Sequence, residues 1–67
     1  MIKLIPNSPV QRDDGSWYLE AIADSTSDLS SATKIEGLTV GFGALCLIGG
    51  SGDFYYFDGD SWEKVGS

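Results

Sequence analysis

Apolar and polar positions alternate with a period of two in Trp17-Tyr18-Leu19-Glu20-Ala21-Ile22-Ala23, where every odd position is apolar and the even set holds Tyr18, Glu20 and Ile22. That pattern predicts a half-buried strand with Trp17 and Leu19 toward the core. Ala44-Leu45-Cys46-Leu47-Ile48 is apolar at every position, so in an antiparallel sheet each of its faces needs cover. One face meets the domain core. The other suits a subunit contact, or cover by a short helical turn. Further on, the segment from Gly49 to Val65 reads as strand, tight turn, strand, and five of the chain's eight aromatics fall within nine of its residues, Phe54 to Trp62. A turn at Gly59-Asp60 with glycine first sets Phe57 opposite Trp62, Tyr55 opposite Lys64, Tyr56 opposite Glu63 and Phe54 opposite Val65. Sliding the turn to Asp58-Gly59 would oppose Phe57 with Asp60 and Phe54 with Glu63, which is poorer on both faces.

Between these strands the punctuation is clear. Pro6 and Pro9 remove amide donors from residues 1–12, which makes that segment an extended arm or an edge strand, lying either on a neighbouring subunit or on its own domain. Asp13-Asp14-Gly15-Ser16 is a turn by composition. From Asp24 to Lys34 the chain is mostly Ser, Thr, Asp and Ala, enough for at most one short helical turn near residues 27–34, capped by Ser27 or Asp28 and carrying Leu29 and Ala32. Gly37, Gly41 and Gly43 permit bends or close backbone approach near Leu38, Val40 and Phe42. Gly49-Gly50-Ser51-Gly52 is a hairpin connection, and because a strand follows it in place of a helix it does not suit a phosphate. Asp14-Gly15-Ser16-Trp17 is echoed by Asp58-Gly59-Asp60-Ser61-Trp62, which is recurring hairpin chemistry and not a repeat array. The expected fold is all-β: a small antiparallel sheet or barrel-like module of about four to five short strands, with residues 13–67 as one small β domain behind the arm.

Sixty-seven residues sit near the size at which one core barely offsets chain entropy. The usual staples are missing from the sequence: Cys46 is the sole cysteine and there is no histidine, so neither an internal disulfide nor a common zinc set can form. Association with other chains is the remaining remedy, and the aromatic load of the last hairpin points the same way. A formal charge of −6 repels phosphate backbones and anionic lipid, which argues against direct nucleic-acid binding and against a membrane surface. No apolar run approaches the roughly 20 residues of a membrane span, and Met1 to Pro6 is too short for a signal peptide. The expectation is retention in the cytoplasm where the chain is made.

Candidate chemistry changes the picture little. Without histidine, and with an unaccompanied thiol, the common nucleophile arrangements are absent, so no catalytic residue, cofactor or metal ligand is assigned and the chain is not read as an enzyme. Asp53, Asp58, Asp60 and Glu63 are grouped around the last hairpin, but their neighbours are turn glycines, and the ligand ladder of a calcium loop is missing. Trp62, Phe57, Tyr55 and Tyr56 present flat rings of the kind that stack on sugars, which keeps a receptor- or glycan-binding tip open as an alternative to core and subunit packing.

The blocks Ala23-Asp24-Ser25-Thr26-Ser27-Asp28-Leu29, Gly37 to Gly43, and Gly52-Asp53-Phe54-Tyr55-Tyr56-Phe57-Asp58-Gly59-Asp60-Ser61-Trp62-Glu63-Lys64-Val65 together resemble a module of tailed-bacteriophage virion proteins, found in fibre, head-fibre and capsid-associated components. The resemblance covers residues 23–65, through an aromatic strand, an Asp-Gly turn and a tryptophan. In that family the module usually stands inside a longer polypeptide, whereas here it makes up nearly the whole sequence, which favours a small accessory component over a fibre shaft. It implies a virion structural protein, a capsid decoration or head-fibre element, made in the host bacterial cytoplasm and assembled as a homo-oligomer, a trimer first, against capsid or tail proteins. The residues expected to carry the contact are Ile2, Leu4 and Ile5 of the arm with Tyr55, Tyr56, Phe57 and Trp62 of the hairpin.

Overall fold

A computed structural model of the chain describes residues 1–30 and 32–66. Among these described residues nine short strands and one 3-10 turn follow in the order β1 Ile2–Leu4, β2 Val10–Gln11, β3 Trp17–Tyr18, β4 Glu20–Ala23, the 3-10 turn Thr26–Leu29, β5 Lys34–Ile35, β6 Leu38–Thr39, β7 Leu45–Ile48, β8 Phe54–Phe57 and β9 Trp62–Lys64. Five of them form one open sheet in the order β1-β4-β7-β8-β9, and β2-β3 and β5-β6 form two small ladders. The molecule is all-β, with a sheet that is neither closed into a barrel nor purely antiparallel. The pair β4–β7 runs parallel, with Ala21 beside Cys46 and Ala23 beside Ile48. A parallel pair needs a long crossover, and residues 24–44 supply it.

The first 23 residues make a single interrupted hairpin. β1 pairs antiparallel with β4, Ile2 opposite Ala23 and Leu4 opposite Ala21, while β2 pairs with β3, Val10 opposite Tyr18. Between them Pro6 to Pro9 bow out of the ladder, since the two prolines carry no amide hydrogen to place in it. Ser8 Oγ takes over there, donating to Ile5 O at 2.7 Å and accepting Glu20 N–H at 3.1 Å. The tip is the turn read from Asp13-Asp14-Gly15-Ser16: Gly15 has φ +90°, and Asp14 Oδ1 accepts Ser16 N–H at 2.9 Å.

In the crossover, the 3-10 turn starts one residue earlier than expected and is capped by Ser25, not Ser27 or Asp28. Asp28 instead closes the turn from inside, its Oδ2 accepting the amides of Asp24 at 3.2 Å and Ser25 at 3.3 Å and the terminal ammonium of Met1 at 2.7 Å. Leu29 is buried and Ala32 packs against the core. Ser31, within the stretch expected to be helical, lies outside the described residues, as does Ser67.

Gly41 is where this cover closes on the N-terminal hairpin. Its amide donates to Trp17 O at 2.7 Å, and a Cβ there would lie 2.5 Å from Ser16 Oγ and 2.7 Å from Arg12 Cδ. A side chain there would have to push the Ser16 and Arg12 side chains aside. The last hairpin adopts the register of the Gly59-Asp60 turn, with Phe57 opposite Trp62, Tyr56 opposite Glu63 and Tyr55 opposite Lys64. Gly59 sits at φ +107°, and Asp58 Oδ1 accepts the amides of both Asp60 and Ser61 at 2.8 Å.

The core lies on one side of the sheet only. Leu19, Ala21, Ala23, Ala44, Cys46, Ile48 and Phe57 supply its floor, and Leu29, Ile35 and Val40 close over it. Ile2, Leu4, Trp17, Tyr55 and Trp62 pack around this cluster. Trp62 is fixed twice, by a tilted contact with Phe57 at 5.4 Å between ring centres and by its Nε1–H donating to Ala32 O at 2.9 Å.

Candidate interaction surface

Side chains of a strand alternate between faces, so the register that points Ala21, Cys46, Tyr55 and Phe57 into the core points their neighbours away from it. Across the opposite face runs one row of Lys3, Ile22, Leu47 and Phe54, set by the pairs Lys3 with Ile22, Ile22 with Leu47 and Leu47 with Phe54. Val65 extends the row, its amide donating to Phe54 O at 2.9 Å. A second row holds Glu20, Leu45, Tyr56 and Glu63, and Ile5 extends it through its amide bond to Glu20 O at 2.9 Å.

Most of these positions are apolar, and none of the core-covering elements crosses them. Ile22 is 44% exposed, Phe54 50%, Tyr56 37% and Val65 48%. Leu45 and Leu47, on the central strand, are half-buried. Scattered exposed apolar side chains are ordinary, whereas a contiguous patch spanning a sheet makes this face the candidate interaction surface. Beside β1, between Lys3, Ile5, Pro6 and Ile22, the face holds an open hollow of about 580 Å³, while the rings of Phe54 and Tyr56 are partly exposed on the β8 side.

The residues expected to carry a contact therefore divide between the two faces. Ile5 and Tyr56 lie on the open face. Ile2, Leu4, Tyr55 and Trp62 point to the core side and pack against it, and Phe57 is buried at 4% exposure. Ile22, Leu45, Leu47, Phe54 and Val65, absent from that set, make up most of the open surface. Their signal was the parity of the strands: positions 54 and 56 cannot share a face with 55 and 57.

A second, smaller feature lies on the core side. Tyr55, Phe57, Trp62 and Leu29 wall a cleft of about 180 Å³ whose rim includes Asp60 and Ser61. Ligand pockets usually measure about 300–1,000 Å³, so this one admits a single small ring at most.

The acidic residues near the last hairpin are engaged in the turns themselves. Hydrogen bonds from the Ser61 and Asp60 amides hold the Asp58 carboxyl below its usual range, and the Ser16 hydroxyl and amide do the same for Asp14. The two Asp-Gly turns thus share one device, a carboxylate that caps amides two or three residues ahead. Asp53 lies 3.8 Å from Lys64. Cys46 faces the core, and burial pushes its thiol up to about 11, which leaves it a packing group without thiolate reactivity. Among the described residues no cluster of acidic or thiol side chains is arranged to hold a metal ion, and no helix is long and apolar enough to cross a membrane.

No family model matches the chain, and neither a curated protein nor a solved structure matches it.

Proposed function

We propose that the chain is a structural component of a tailed-bacteriophage virion, an accessory head or tail protein of the capsid-decoration or head-fibre kind, which works by burying the open face of its sheet against other chains. The observation that carries the assembly part of this reading is the apolar row Ile22, Leu47, Phe54 and Val65, partly exposed on a sheet whose other side carries the core. Water excluded from such a surface supplies a non-directional drive to associate, roughly in proportion to the area removed. The virion part is supported by the aromatic strand, Asp-Gly turn and tryptophan of residues 52–65, which resemble the phage module.

Mass spectrometry of purified particles from the source phage provides the test. The chain is expected in many copies per particle, and Phe54→Asp is expected to reduce incorporation while leaving the isolated protein folded. Particles that carry no copy of the chain would overturn the virion reading.

The cleft favours a second reading, a glycan-binding tip, because it brings Trp62 and Tyr55 together with the polar groups of Asp60 and Ser61. A glycan array separates the two. Saturable binding that disappears in Asp60→Ala, an exposed position, with an unchanged circular dichroism spectrum, supports the tip; an empty array removes it.

A further inference from the structure

We infer that the open face is closed by a second copy of the chain, in a sheet-on-sheet dimer whose twofold axis runs along β7. The inference rests on the assembly reading above only for the choice of face. Three independent features of that face point to self-closure.

The first is the strand order. With five strands in the order β1-β4-β7-β8-β9, β7 is central, and a twofold along it lays β4 over the partner's β8 and β1 over the partner's β9. Aligned sheets pack this way, about 10 Å apart and with strand directions within about 30°. An axis of this kind makes the contact isologous, each surface patch meeting its own copy, and it closes at two chains.

The second is shape. The hollow beside Lys3, Ile5 and Ile22 lies at the β1 side of the face, and the partly exposed rings of Phe54 and Tyr56 lie toward the opposite side. The axis carries these rings toward the other copy's hollow, twice per dimer. Leu45 and Leu47, which a single chain leaves half-buried, meet their own counterparts on the axis.

The third is charge. Lys3 stands at one edge of the face and Glu63 at the other, and the same rotation brings the ammonium of one copy to the edge that carries the carboxylate of the second. Tyr56 falls over the other copy's Glu20, a carboxylate already accepting the Tyr18 hydroxyl at 2.9 Å.

Native mass spectrometry and a single-cysteine cross-link test the dimer. In a Cys46→Ala background, Leu47→Cys places a thiol on the axis and is expected to give a covalent dimer on mild oxidation, whereas Ser51→Cys, off the face, is expected to stay single. Lys3→Glu is expected to weaken association about tenfold, since it sets like charges together twice, and adding Glu63→Lys to the same chain is expected to restore it. A chain that is folded and monomeric at tens of micromolar concentration, a trimer, or a dimer indifferent to Lys3→Glu would overturn the proposal. If particles take up the chain but it is monomeric alone, the dimer fails and the virion reading stands; a dimer never found in particles gives the reverse.

Discussion

The two faces of the five-stranded sheet are built from the same strands and almost the same residue types, yet one is sealed and the other bare. On the sealed side small side chains, Ala21, Ala23 and Cys46, let the 3-10 turn and the β5-β6 ladder come down onto the sheet, and Phe57 and Ile48 fill the space between. On the bare side Ile22, Leu47, Phe54 and Val65 are larger, and among the described residues no covering element packs over them, so Ile22, Phe54 and Val65 stay about half exposed and Leu47 is only half-buried. Sixty-seven residues provide one covering layer and no more, a consequence of how steeply the surface-to-volume ratio rises in small domains. The difference teaches that apolar content alone does not locate a core; the layer available to cover it does.

The contrast breaks most visibly at Phe57. Phe57→Ala is expected to cost about 3–5 kcal/mol, from about a third to all of the stability of a domain this size, which at about 0.05–0.15 kcal/mol per residue is roughly 3–10 kcal/mol. Loss of a cooperative urea transition at 25 °C would report it, and a wild-type-like midpoint would show that Phe57 does not hold the sealed face. Gly41→Ala comes next. Its methyl meets Ser16 Oγ and Arg12 Cδ, and an overpacked site of this kind costs about 1–3 kcal/mol, visible as a lower urea midpoint with an unchanged slope.

On the bare face the sign of the contrast reverses. Phe54→Ser is expected to change the stability of the isolated chain by no more than about 0.5 kcal/mol while abolishing association, so unfolding and sedimentation velocity measured together sharpen the comparison. A large loss of stability in the dilute monomer would show that Phe54 belongs to a core after all.

The smallest effect belongs to the acidic turns. Asp14 and Asp58 are depressed below 3.8 by hydrogen bonds from Ser16 and from Ser61 with Asp60. A carboxyl with a lowered folded value contributes stability above its unfolded value and loses it as pH falls through the folded one. The melting temperature is therefore expected to be level from pH 7 to about 5 and to decline below about 4. Asp58→Asn, which keeps the accepting oxygen but not the charge, is expected to make that decline slightly shallower, and an unchanged acid limb would remove Asp58 from it.

Local chemistry carried much of the fold. Parity placed Leu19 inward, and a two-residue turn with glycine first fixed Phe57 against Trp62, because both depend on residues a few positions apart. The parallel neighbour of β4 was not legible, since β4 and β7 are distant in sequence and the alternation of either strand says nothing of its partner's direction. Ser25 was passed over as a cap because it stands among equally able serines, and Glu36 at φ +51° gives no composition signal until its turn with Gly37 is seen. For the candidate surface, grouping the rings by proximity in sequence mixed Tyr55 and Phe57 with Tyr56, which the pleat separates. The apolar load of the last hairpin was visible; its division between two faces depended on applying the register already in hand.

Because β4 and β7 lie side by side in the same direction, the molecule is two locally paired halves, residues 1–23 and 45–65, zipped along a single seam. Closing that seam has to order a long loop first, so it is expected to be the slow step of folding. A backbone nick in the intervening stretch would leave each half its own short-range pairings, and their recombination would rebuild the seam, the arrangement a two-fragment complementation reporter requires.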